Sequence, residues 1–368
     1  MAIFTDVLQD VTKEGRKLPT NEYKENGTYP IIDQGQNDVA GYTDETEGLF
    51  TDVPAIIFGD HTRIIKYVDK PFFIGADGVK ILKARNQKTN YKYLYYALSS
   101  KKIPNTGYNR HFKWLKEIDI PTFSEQEQNQ IVFKLDKITS LIDLRTKQLN
   151  KLDELVKSRF IELFGDPVSN SMGLPTEPMT TVCAIIDGDR GRNYPKQDEF
   201  SDTGYCLFLN AKNVTTTGFF FENRMFITKE KDDALHNGKL ERGDVVLTTR
   251  GTLGNLAFYD DSVPFENVRI NSGMVILRMK KSVMTEVFFM EQFKLQLQSI
   301  KGKIASGSAQ PQLPISTMNK IRILLAPMAL QEQFAAFVEQ TDKSKLAIQQ
   351  SLEKLETLKK ALMQQYFG

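Results

Sequence analysis

What most constrains the fold of this chain is a repeat. Its final forty or so residues restate a stretch from its own middle, about two hundred positions earlier. Over 124–165 the first copy reads SEQEQNQIVFKLDKITSLIDLRTKQLNKLDELVKSRFIELFG, and over 327–368 the second reads PMALQEQFAAFVEQTDKSKLAIQQSLEKLETLKKALMQQYFG. At one constant offset Leu149 falls on Leu352, Lys151 on Lys354, Leu152 on Leu355, Leu155 on Leu358, Lys157 on Lys360 and Phe164-Gly165 on Phe367-Gly368. The offset also aligns the strand-like stubs Ile118-Asp-Ile120 and Ile321-Arg-Ile323, whereas pairing Glu127-Gln128 with Glu332-Gln333 needs a local two-residue shift. A period the size of a domain excludes a solenoid of short repeats and says the chain is duplicated.

Each copy carries an apolar seam with alternating steps of four and three, the register of a coiled coil. In the first it is Ile131, Leu135, Ile138, Ile142, Leu149, Leu152, Val156 and Leu163, interrupted by Arg145 and Arg159. In the second it is Phe334, Val338, Ile348, Leu352, Leu355, Leu362 and Tyr366, interrupted by Thr341, Lys345 and Lys359. A helix of roughly 35 residues would be on the order of 50 Å long, beyond what one compact domain usually needs. Matching length and duplication favour pairing of the two helices; burial of each in a separate core is the other reading.

The chain has 368 residues, room for two or three domains, and the duplication selects two. Its N-terminus resembles neither a signal nor a transit peptide, and it has no apolar run of about 18 residues, so a soluble cytoplasmic protein without membrane contact is expected. Cys183 and Cys206 are too few for a disulfide framework and have no metal-ligand spacing, so they read as buried thiols of a reducing compartment. The order along the chain is a first mixed globule over 1–122, a long helix within 123–165, a breaker-rich linker over 166–178, a second mixed globule over 179–326, and a second long helix within 327–368. Strands are expected at 29–32, 55–58, 78–82, 205–209, 244–247 and 273–277. Gly78-Val-Lys-Ile-Leu-Lys83 matches Gly273-Met-Val-Ile-Leu-Arg278 across the halves. The expected fold class is α+β, with two mixed α/β globules alternating with two long helices that are expected to pair as an antiparallel coiled coil.

The formal net charge of +2 conceals a segregation. Between 78 and 116 there is no acid, while Lys80, Lys83, Arg85, Lys88, Lys92, Lys101, Lys102, Arg110, Lys113 and Lys116 accumulate among Tyr91, Tyr93, Tyr95, Tyr96, Tyr108, Phe112 and Trp114. The stretch 292–331 is again acid-free, with Lys294, Lys301, Lys303, Lys320 and Arg322. Such strips read as footprints for a phosphate backbone, or as solvated basic faces over core tyrosines.

Motifs for a nucleotide engine are missing: neither a phosphate loop of the GxxxxGK[ST] type nor a dinucleotide fingerprint occurs. His61, His111 and His236 are scattered, and no metal or catalytic residue is assigned. His61, in Gly59-Asp-His-Thr-Arg63, reads as a hydrogen-bonding or phosphate-contacting loop residue before it reads as a base.

The chain resembles the specificity subunits of type I restriction-modification systems. The resemblance rests on Tyr29-Pro-Ile-Ile-Asp-Gln-Gly35 with Gly41-Tyr42, on Gly107-Tyr-Asn-Arg-His-Phe-Lys113 leading into Leu115-Lys-Glu-Ile-Asp-Ile-Pro121, and on the Glu-Gln step opening each helix. In the second half it rests on Ile185-Ile-Asp-Gly-Asp-Arg-Gly-Arg-Asn-Tyr-Pro195, Asn210-Ala-Lys-Asn-Val214, Thr249-Arg-Gly-Thr252 and Gly307-Ser-Ala-Gln-Pro-Gln-Leu-Pro314. It implies a subunit without catalysis of its own. Each globule would be a target-recognition domain reading one half of a bipartite site in double-stranded DNA, and the helix pair would set the unread spacer. It implies as partners two methyltransferase subunits, which would carry S-adenosylmethionine while this chain binds no cofactor, with a restriction-translocase subunit as a further candidate. Residues able to form bidentate base contacts within the family-like loops are Gln34, Arg110, Asn193, Arg250, Asn271 and Gln310. Lys80, Lys83, Lys101, Lys113, Lys301 and Lys303 are the candidates for phosphate. Two rival readings stay open, a coiled-coil adapter for proteins and a self-contained metal-dependent nuclease.

Overall fold

Both long helices form, Glu125–Phe164 and Met328–Phe367, each of 40 residues in the computed structural model. The structure describes residues 1–75, 77–107, 109–305 and 312–368, with 303–305 through their backbone alone. The first helix starts at a reciprocal cap: Ser124 N donates to Glu127 Oε2 at 2.9 Å and Glu127 N donates to Ser124 Oγ at 3.3 Å, which satisfies amides a helix start leaves open. It stops at Gly165, whose φ of +76° a residue with a Cβ rarely adopts.

The six expected strands are all present, with bounds within two residues of those read from the sequence. Ala55–Gly59 and Asp244–Thr248 are buried along their whole length, as the central strands of covered sheets must be. The chain forms two compact units, Met1–Gln148 with Ile348–Gly368, and Leu149–Ala347. This grouping differs from the linear order of segments, because each unit takes one half of each long helix.

In the first unit a four-stranded antiparallel sheet runs in the order Leu8–Asp10, Val79–Ala84, Ala55–Gly59, Ile65–Val68. A second sheet runs Lys17–Leu18, Phe73–Gly75, Tyr29–Ile32, Gly41–Thr43, its first two pairings parallel. The second unit repeats the plan. Its four-stranded sheet has the order Cys183–Asp187, Met274–Met279, Asp244–Thr248, Leu256–Tyr259. Its companion is Phe226–Ile227, Cys206–Leu209, Val268–Ile270, the last pair parallel. A short ribbon closes each unit, Ala2–Ile3 on Asp119–Ile120 and Thr176–Pro178 on Arg322–Leu324.

The long helices are part of both cores. In the first unit Ile131, Val132 and Leu135, near the start of the first helix, share a core with Phe367 at the end of the second and with Phe58, Leu82, Tyr93 and Leu94. In the second unit Val156, Phe160 and Phe164, near the end of the first helix, pack with Phe334 and Val338, near the start of the second. The pairing is therefore antiparallel within each unit. Along the seam, Ile131, Leu135, Ile138, Val156, Phe334 and Val338 are buried, while Ile142, Leu149, Leu152, Ile348, Leu352, Leu355 and Leu362 are partly exposed. Only the ends of each helix have a globule to pack on.

The repeat is more regular than the Glu-Gln pairing suggested. Gln128 accepts from Asn90 N at 3.0 Å and donates to Phe123 O at 2.9 Å, and Gln331 accepts from Thr285 N at 2.9 Å and donates to Ala326 O at 2.8 Å. These two glutamines occupy the same place at the constant offset, so no local shift is needed. Each helix opening thereby ties down the loop in front of a shorter helix, Tyr91–Ser99 or Glu286–Ala305.

The basic strip of the first half is not one face. Tyr93 and Tyr96 are buried in the core, and several lysines meet acids brought from elsewhere: Lys92 pairs with Asp136 at 2.6 Å, and Lys80 with Asp10 at 3.0 Å. A count of local charge cannot foresee partners tens of residues away. Both cysteines are free and buried, and burial pushes each thiol up to about 12. No described helix is long and apolar enough to cross a membrane.

Candidate nucleic-acid interface

In both units the loops leaving one end of the four-stranded sheet converge on a single backbone point. In the first it is Asp60, one residue beyond the central strand Ala55–Gly59. Asp60 N donates to Gly78 O at 2.6 Å, and Asp60 O accepts from His111 N at 2.8 Å. In the second it is Thr249, one residue beyond Asp244–Thr248: Thr249 N donates to Gly273 O at 2.8 Å, and Thr249 O accepts from Leu313 N at 3.1 Å. Gly78 and Gly273 are the glycines that the sequence alignment of the halves had matched.

Around Asp60 the structure assembles three segments. Gln34 accepts from His61 N at 3.1 Å and donates to Asp77 O at 2.9 Å, so its amide bridges two loops. Gly78 has a φ of +86°, and a Cβ there would meet His61 at 2.7 Å, so the turn needs glycine. His111 is fully buried, with Nδ1 3.0 Å from Asp60 O, while its neighbours Arg110 and Lys113 are exposed. Lys80 and Lys116 both lie over the Phe112 ring, at 5.1 and 4.9 Å, and Lys113 lies over Trp114 at 4.9 Å. A cluster of cations thus borders the convergence.

Around Thr249 the arrangement is built from other side chains. Gly188 passes so close to Asn271 that an added Cβ would sit 2.3 Å from its carbonyl oxygen. Asn271 Oδ1 accepts from Gly273 N at 2.9 Å, and Arg190 donates to Ser272 O at 3.3 Å and pairs with Asp187 at 3.0 Å. Arg250 is exposed beside Gly273. The loop after Gly188 is held from below by Asp189. Burial raises its pKa, but amides of Gly191, His236 and Asn237 outweigh that and keep the carboxyl below its ordinary range. Asn193 donates to Ala234 O at 2.9 Å. Residues 232–237 are in turn fixed by Arg269, which bonds both Asp232 Oδ1 and the carbonyls of Asp232, Leu235 and Asn237.

Of the residues expected to read bases, Arg110 and Arg250 are therefore exposed at the convergence. Gln34, Asn193 and Asn271 use their amides on backbone groups and so hold loops in place. Gln310 lies outside the described residues. Among the phosphate candidates, Lys113 is exposed and Lys301 half-buried. Lys80 is partly exposed and ion-paired. Lys83 corrects the expectation: it is 8% exposed and donates to Asp52 O, Asp52 Oδ1 and Pro54 O at 2.8–2.9 Å, making it an internal anchor. Lys101 is corrected too, since it donates to Phe367 O at 2.5 Å and so caps the second long helix. The side chain of Lys303 lies outside the described residues. Sequence reasoning missed Asp60, His111, Asp189, Arg190 and Thr249. Asp60 had a signal in its place directly after a strand and beside His61, and His111, Asp189, Arg190 and Thr249 lay within motifs already singled out, without a role of their own. Among the described residues no group of three His, Cys, Asp or Glu side chains is arranged to hold a metal ion.

A fold built twice, with differing polar loops gathered at the same sheet end of each copy, defines a duplicated recognition scaffold. The chain belongs to the type I restriction-modification DNA specificity family: the model of the type I restriction modification DNA specificity domain matches it twice, over 5–154 and 180–359. It is similar to the specificity subunit of the Escherichia coli type I restriction enzyme EcoR124I/EcoR124II, 32% identical over 36% of each chain. This match spans about a third of that relative's length. It is also similar to the MjaVIII specificity subunit of Methanocaldococcus jannaschii, 25% identical over 79% of this chain and 74% of the other. In fold it matches the crystal structure of a type I restriction-modification S subunit from M. genitalium, with a TM-score of 0.63 and 18% identity, covering 100% of this chain and 95% of that one.

Proposed function

We propose that this chain targets a type I restriction-modification assembly to a bipartite DNA site. Each globule reads one half-site, and the two long helices set the unread spacer and dock two methyltransferase subunits that carry S-adenosylmethionine. A restriction-translocase subunit joins the same assembly, in the cytoplasm, and the chemistry belongs to the partners. The observation that carries this reading is the repeated convergence at Asp60 and Thr249: one backbone plan displays two different sets of side chains, as two different targets require. Arg110 and Arg250 are the proposed base readers, because guanidinium forks suit bidentate contacts in the major groove. Lys80, Lys113, Lys116 and Lys301 contribute contacts to phosphate, which add affinity without sequence information.

The test is to co-express the chain with its candidate methyltransferase subunit and map methylated bases in the host DNA. A two-part motif with a fixed spacer, lost when the chain is omitted, is expected. A folded, assembled complex that methylates nothing, or marks one continuous motif, would overturn the reading. A protein-binding adapter predicts no DNA affinity even at low salt, whereas binding through several phosphates weakens steeply as salt rises.

A further inference from the structure

Building on that function, we propose that Asp60 is the positioning residue for the DNA-reading segment 109–113 of the first domain. Asp60 is 3% exposed and bonds the segment through both its carbonyl and its carboxylate. Its carbonyl accepts from His111 N at 2.8 Å and its Oδ1 accepts from Phe112 N at 2.7 Å. Two consecutive amides are thereby fixed to one residue, and the exposed Arg110 and Lys113 project from either side of them. Asp60 N also holds Gly78 O, and the adjacent His61 N is held by Gln34, so three loops of the interface share this anchor. Its reach is local, and its effect on DNA is exerted through the side chains it orients.

The second domain indicates what the carboxylate is for. At the same point it has Thr249, whose backbone makes the same two bonds while its hydroxyl donates to Gly273 O at 3.0 Å. Among the described residues no carboxylate bonds the returning segment there. The two backbone bonds of the convergence thus form without an acid, and the additional bond from Asp60 answers the amide of Phe112, where the second domain has Pro314, which has none. His111 has Nδ1 facing Asp60 O, where the second domain has Leu313. A carboxylate bonded to the reading segment is suited to fixing that segment's register against base edges.

The experiment uses the full chain in its methyltransferase complex. Wild type must first yield a two-part methylation motif; if it yields none, the targeting function fails and this inference falls with it. Asp60→Thr then places the second domain's residue in the first. The expected result is a motif degenerate in one half only, with about tenfold less discrimination at one or more positions there. Asp60→Asn keeps an oxygen acceptor and is expected to keep the wild-type motif. An unchanged motif in Asp60→Thr, or methylation lowered equally at every site, would refute the positioning role, since a merely structural defect lowers occupancy without changing which bases are read. Should the Asp60→Thr complex fail to assemble, His111→Leu is read by the same two criteria.

Discussion

Single buried polar groups hold the loops at the ends of the sheets in this protein. Arg269 and Asp232 have side chains 6% and 1% exposed, with Lys239 completing the group at 2.5 Å from Asp232 Oδ2. Replacing Arg269 by Met leaves a buried carboxylate short of one of its two cationic partners and three carbonyls without their donor. The expected loss is about 3–5 kcal/mol, read by urea unfolding, with the second unit opening first in hydrogen exchange. Burial raises the pKa of Asp232, but Lys239 and Arg269 outweigh it, and the net shift is downward, as it is for Asp189. A carboxyl with a lowered native pKa stabilises the fold above its unfolded value of about 4, and that contribution is lost as pH falls through the native value. The urea midpoint should therefore drop between pH 5 and pH 3, and Asp189→Asn should flatten the drop. At this scale little was legible from sequence. Arg269 reads as a strand residue and Lys83 as a surface lysine until the fold supplies the acids and carbonyls they meet.

The long helices differ along their length in what anchors them. Phe160 is fully buried and lies 5.5 Å from both Phe288 and Phe334, centroid to centroid, whereas Ile142 is only half-buried. Phe160→Ala should cost about 3–5 kcal/mol, while Ile142→Ala, at a place that water already reaches, should cost well under half of that. Thermal unfolding of the two variants would separate an evenly distributed seam, which predicts similar losses, from anchoring at the ends. Polar residues share the pairing in the second unit: Lys345, an interruption of the seam, reaches Asp153 across the helices at 2.7 Å. Burial lowers the lysine's pKa, but Asp153 and Asp342 raise it more. The period of the apolar residues made the helices and their pairing seam legible, while their antiparallel sense came from the packing of their ends. Phe160 and Phe164 escaped because they lie off the four-three spacing of the seam, where each packs on Phe288 of the globule as well as on Phe334 of the second helix.

At the scale of the molecule, the compact units interleave the chain: residues 348–368 fold with the first globule although they are the farthest from it in sequence. Deleting 348–368 should therefore strip hydrogen-exchange protection from Tyr91–Ser99 and from the helix around Ile131 and Leu135, while the core around Val245, Leu277 and Phe289 keeps most of its protection. Loss of protection only in the second unit would contradict this grouping. The sequence by itself determined the duplication, the α+β class, six strands and both helices, because these follow from periodicity and turn chemistry, which are local. It also carried the family, through short loop motifs in a fixed order. Only the tertiary structure decided which polar residues face outward. Gln34, Lys83 and Lys101 resemble contact residues in composition, yet each bonds backbone groups within the unit, since a buried donor left without a partner costs more than an exposed one gains. Arg110 and Arg250 are exposed beside backbone that Asp60 and Thr249 hold, through bonds that join residues at least eighteen positions apart.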